Sequence, residues 1–164
     1  MNVLRLLTAL AVVFGIFVFN HSPAFAQLFA ILNGGNEIDP TTGVANAGDP
    51  DGSGMAAVLI RDTDPTLCYA ILVTGIDTPM AAHIHEGAAG VNGPVVVPLT
   101  PPETGNPGES EECISADAAV LTRIRQNPAG FYVNVHDAAF PNGAIRGQLL
   151  GSSPASAARS KTGR

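Results

Sequence analysis

The stretch GFYVNVHDAAFPNGAIRGQLLG, residues 130–151, decides how the rest of the chain is read. In its first part Val133 and Val135 alternate with Tyr132, Asn134 and His136. That period of two puts apolar side chains on one face of a strand and polar ones on the other. Phe140-Pro141-Asn142-Gly143 then supplies turn chemistry, because Asn and Gly tolerate positive φ. A second short run, 144–151, follows at once. The spacing predicts a tight turn that lays the last strand, with Arg146 on it, beside the first.

The same grammar of brief apolar runs punctuated by Gly, Pro, Asn and Asp extends back to residue 28. Further candidate strands are LFAILN (28–33), GSGMAAVLIRD (52–62), TLCYAILVTG (66–75), AAHIHEG (81–87) and GPVVVPL (93–99). The expected fold is all-β, a Greek-key-like antiparallel β-sandwich or flattened barrel of about seven to eight strands. One segment departs from it. SADAAVLTRIRQNP (115–128) offers Ser115 as an N-cap, Asp117 in the first turn, Leu121 and Ile124 at helical spacing and a stop at Asn127-Pro128. It reads as one short helix near 116–126. PPETGNPGESEE (101–112) reads as a loop.

At the N-terminus, MNVLR, the apolar run LLTALAVVFGIFVF and SPAFA form a basic start, a hydrophobic stretch and a small-residue cleavage site ending at Ala26. Residues 1–26 are therefore expected to be a signal peptide, with a single membrane anchor as the competing reading. The expected organisation is a domain over 27–151 and a disordered basic tail over 152–164. A protein so processed would be secreted or periplasmic, with no stable membrane span after cleavage. All fourteen acidic residues of the chain fall within 27–151, against four of its eight basic ones. That balance excludes a phosphate-binding surface, so nucleic acid is not an expected partner. Cys68 and Cys113 are the only cysteines, and in an oxidising compartment one disulfide is the default.

Strand alternation places His83 and His85 on one face of AAHIHEG and His136 on the polar face of its own strand. His21 lies in the expected signal peptide, so these are all the histidines of the mature chain. If the two strands are neighbours, three imidazoles converge, each able to offer a ring nitrogen to one metal ion. The alternative is three hydrogen-bonded histidines on a wet strand face. Glu86 and Asp137 neighbour the histidines in sequence but alternate to the opposite face. Arg146 is a candidate for holding an anion near the site, or else a partner for a surface carboxylate. There is no Gly-x-Ser-x-Gly elbow and no phosphate-cradling glycine loop, so no catalytic residue is assigned and enzymatic activity is not the favoured reading.

NGGNEIDP, GDPDGSGMA, LCYAILVTGI, AAHIHEGAAGVNGPVVVPL and NPAGFYVNVHDAAFPNGAIRGQL together resemble the CHRD domain, found in chordin and alone in many secreted bacterial proteins. The resemblance covers about residues 28–150. It implies an extracellular module, with a metal-free protein- or ligand-binding role as the alternative to a metal site. HIHEG, VNVHD and GAIRGQL are also similar, in that order, to elements of copper-zinc superoxide dismutases. That likeness implies copper ligands at His83, His85 and His136 and an anion guide at Arg146. The bridging histidine and zinc loop of those enzymes have no counterpart here, so the likeness implies a three-histidine site with an open position, suited to copper or zinc, and a superoxide dismutase-like redox enzyme only as the least favoured alternative.

Overall fold

The computed structural model describes residues 25–61 and 63–151. Most of the expected signal peptide and the whole basic tail lie outside them. Eight antiparallel strands form one sheet in the order β5-β4-β7-β8-β1-β2-β3-β6. The strands are β1 (Phe25–Asn33), β2 (Ser53–Arg61), β3 (Thr66–Thr74), β4 (Pro79–Glu86), β5 (Val95–Leu99), β6 (Gly108–Ser115), β7 (Phe131–Asp137) and β8 (Ile145–Gln148). One helix, α1 (Ala118–Gln126), and two short 3-10 turns complete the fold.

The sheet forms because its inward positions alternate as the sequence does. Leu28, Ala30 and Leu32 of β1, Val58 and Ile60 of β2, and Leu67, Ile71 and Val73 of β3 are all buried in one core. Ile84 of β4, Val133 and Val135 of β7, and Ile145 of β8 join the same core from the other half of the sheet. At about 1.5–3 kcal/mol per fully buried aliphatic side chain, this alternation holds the register. The sheet curls into a half-barrel. Thr100, just past β5, donates its N–H to Tyr69 Oη at 2.8 Å and its hydroxyl to Glu112 Oε2 at 2.8 Å, tying one edge toward the other.

The chain crosses between the two halves three times, after β3, β5 and β6, and this places β4 beside β7. The β7–β8 hairpin forms as the 130–151 stretch predicts, with Asn134 opposite Arg146 and Gly143 at φ 138°. Two expectations need correction. Residues 108–112 are strand, not loop: β6 pairs with β3 from Thr66–Ser115 to Val73–Gly108. Its exposed Glu109, Glu111 and Glu112 hide the apolar signal and are what an edge strand uses against further pairing. Ser115 ends β6 and does not cap the helix. Asp117 is the N-cap, accepting from Ala119 and Val120 N–H at 2.9 Å each. Cys68 and Cys113 face each other in the β3–β6 register and are disulfide-bonded. No helix among the described residues is long and apolar enough to cross a membrane.

Candidate metal centre

β4 and β7 run antiparallel with Ala81 opposite His136, His83 opposite Asn134 and His85 opposite Tyr132. All six side chains lie on the face opposite the core, because Ala82, Ile84, Val133 and Val135 take the core, and on that face Tyr132 and Asn134 are buried against Arg146 and Glu37. The condition set by the sequence, that the two histidine strands be neighbours, is met. His83 Nδ1 lies 3.3 Å from His136 Nε2. One ligating nitrogen from each of His83, His85 and His136 falls within 4.8 Å of the others.

Two nitrogens bound tetrahedrally at about 2.0–2.1 Å from one ion stand about 3.3 Å apart. The His83–His136 pair has that spacing, which in the metal-free protein is a hydrogen bond from His83 Nδ1–H to His136 Nε2, whereas the full trio is wider than the 3–4 Å that simultaneous ligation asks for. Closing it takes a side-chain shift on the order of 1 Å.

The tautomers follow from the partners of the remaining nitrogens. His136 Nδ1 stands 3.1 Å from Pro141 O and His85 Nδ1 stands 2.9 Å from Gly93 O. A carbonyl only accepts, so both Nδ1 atoms carry hydrogen and both Nε2 atoms present lone pairs. The Gly93 carbonyl is held there because Gly93 packs against Glu86 O, where a Cβ would collide with backbone. His85 Nε2 is buried and has no hydrogen-bond partner. Such an orphaned acceptor costs about 1–3 kcal/mol. A coordinated cation would satisfy it. Ring N–H groups anchored on carbonyls are also how metal-ligating histidines are oriented.

Burial holds all three imidazoles below the usual histidine pKa, and the carbonyl bonds of His85 and His136 offset this in part. They are therefore neutral at pH 7, the form that binds metal. Neither neighbouring carboxylate joins them. Asp137 turns inward and accepts from Asp77 N–H at 3.2 Å and Phe140 N–H at 2.7 Å. Glu86 pairs with Arg123 at 3.1 Å.

Arg146 lies one ring away. Tyr132 is flanked by His85 from β4, ring centroids 4.8 Å apart and nearly parallel, and by the Arg146 guanidinium from β8, 3.4 Å from its centroid. The guanidinium donates to Asn92 Oδ1 at 2.9 Å and to Val91 O at 2.6 Å. It thus pins the β4–β5 loop that carries Gly93, and with it the Nδ1 partner of His85.

Glu37 was not singled out by the sequence. It is 3% exposed, packed on Gly48 and Gly143, and Asn134 Nδ2 donates to its Oε1. Burial pushes its carboxyl up to about 8, against the pull of Arg146 and the Asn134 hydrogen bond. Only its setting in the glycine-rich NGGNEID segment hinted at close packing.

Fold and site define a curled antiparallel β domain that presents three neutral imidazoles on its outer face. The family model of the CHRD domain matches residues 28–149, and the chain belongs to the CHRD-domain family. A search of curated proteins finds no match.

Proposed function

We propose that this protein is a secreted or periplasmic CHRD-domain protein that binds one copper or zinc ion through His83, His85 and His136. The observation that carries the reading is the orphaned lone pair of His85 Nε2, beside a His83–His136 pair already at ligand spacing. The donor set fits: three neutral imidazoles, two of them with tautomer fixed by a carbonyl, suit either metal. Bound copper would supply a redox couple, bound zinc a Lewis acid. The protein's own part is to hold His85 through Gly93 O and Tyr132, and His136 through Pro141 O. An extracytoplasmic location is supported by the Cys68–Cys113 disulfide and by the basic, apolar and small-residue order of residues 1–26.

The test is titration of tag-free protein with Cu(II) and Zn(II), using His83→Ala and His136→Ala as controls. Stoichiometric binding that both substitutions abolish supports the proposal. Absence of binding to a folded protein sinks it. A second reading, a metal-free extracellular binding module, is favoured by the outer face of β1–β3. There Ile31, Met55 and Leu72 lie in one cross-strand row, each about half exposed. If that reading holds, alanine at either histidine leaves every binding property unchanged.

A further inference from the structure

Met80 is the most exposed large apolar side chain among the described residues, at 69%. A lone exposed apolar residue is ordinary. Its place in β4 is not. Outward His85, His83 and Ala81 alternate with inward Ile84 and Ala82, so strict alternation would turn residue 80 into the core. Instead the register shifts: Pro79 stands opposite Asp137 and Ala81 opposite His136, leaving Met80 as the extra residue of a β-bulge. Pro79 takes the buried position, and Met80 is left exposed one residue from Ala81, which stands opposite His136. Bulges that re-aim one side chain recur next to functional sites. Here the residue that the bulge keeps out of the core, next in sequence to the strand segment carrying His83 and His85, has a thioether. Ala81, between Met80 and His83, has only a methyl group to obstruct it.

We infer that Met80 is a fourth ligand, through its thioether sulfur, to the ion held by His83, His85 and His136, and that it adds to the site a preference for copper in its monovalent state over zinc. The inference rests on the proposed histidine site. Its chemistry is that of a soft, neutral donor. Zinc sites are built from thiolate, imidazole and carboxylate, whereas thioether with imidazole selects Cu(I). The trio brings no carboxylate, and both cysteines are committed to the disulfide, so no charged ligand competes for a divalent ion. Methionine is unbranched with three rotatable bonds, so its sulfur can swing over the neighbouring surface without moving the strand. Met55, the other methionine of the described residues, lies on β2 opposite Ile31 and Leu72, in the other half of the sheet.

The experiment compares tag-free wild type, Met80→Leu and His83→Ala. Each is titrated anaerobically with Cu(I) against a chromogenic chelator and separately with Zn(II), and X-ray absorption is recorded on the Cu(I) forms. Leucine keeps the size and exposure of residue 80, so thermal unfolding of the metal-free protein should not change. Met80→Leu should lower Cu(I) affinity by about tenfold or more, given that even outer partners of a ligand act on that scale. It should leave Zn(II) affinity unaltered and remove a sulfur scatterer present in the wild-type spectrum. Wild-type Cu(I) affinity in Met80→Leu, with only nitrogen around copper, overturns the thioether while the histidine site stands if His83→Ala still loses both metals. Failure of the wild type to take up either metal overturns both.

Discussion

Glu37 is the group whose replacement tests the electrostatics of the site most sharply. Its carboxyl titrates near 4.5 in the unfolded chain and at about 8 in the fold, because burial penalises the charged form. Between those values the folded state holds a proton that the unfolded state has released. Its contribution is therefore most favourable below pH 4.5, is lost as pH rises through the window, and levels off above 8. At 1.36 kcal/mol per unit, the penalty at pH 7 is roughly 3 kcal/mol, and above pH 8 about 5 kcal/mol. Glu37→Gln removes the titration and keeps the shape. The new amide can also donate to Asn134 Oδ1, a buried oxygen without a partner. Urea unfolding of both proteins at pH 5 and pH 8 should show the variant gaining on wild type as pH rises, by up to roughly 3 kcal/mol across that span. The histidines titrate in both proteins, so their effect cancels in the difference. A gap independent of pH, or a variant less stable at pH 8, would refute the reasoning. It would mean that Glu37 is folded as an anion beside Arg146.

Two more predictions follow from the same structure. Replacing both Cys68 and Cys113 by serine opens a cross-link with a sequence separation of 45, and chain entropy puts the loss near 4 kcal/mol in denaturant unfolding. The β3–β6 register should survive at low temperature, since it also rests on backbone pairing. Because burial depresses all three histidine pKa values, protons should compete with metal only below the ordinary histidine range. Metal affinity measured at pH 7.5, 6.5 and 5.5 should accordingly stay level over the first step and fall over the second. The histidines' contribution to stability has the same sign, full above pH 6.5 and declining as pH drops.

Where one face of a strand meets the core, parity of two made the strand legible, as in β2, β3 and β7. The edge strand β6 was not legible, because Glu109, Glu111 and Glu112 face solvent and its pairing is fixed by the partner strand. The helix was visible in Leu121 and Ile124, but its start was read two residues early. Ser115 is a good cap by type, whereas the backbone leaves β6 only after it. For the site, alternation placed His83, His85 and His136 on outer faces. Their juxtaposition depends on a crossover that no local pattern encodes. Met80 escaped notice because the strand was read from Ala81, two residues after β4 begins, and the bulge at its start leaves no local signal. Glu37 escaped because its burial comes from Gly48 and Gly143, distant in sequence.

The most direct measurement is electron paramagnetic resonance of tag-free protein loaded with one equivalent of Cu(II). A site built from His83, His85 and His136 predicts one copper species with imidazole nitrogen couplings, lost in His83→Ala and in His136→Ala. A spectrum that either substitution leaves unchanged, or copper that stays free in solution, would contradict the account.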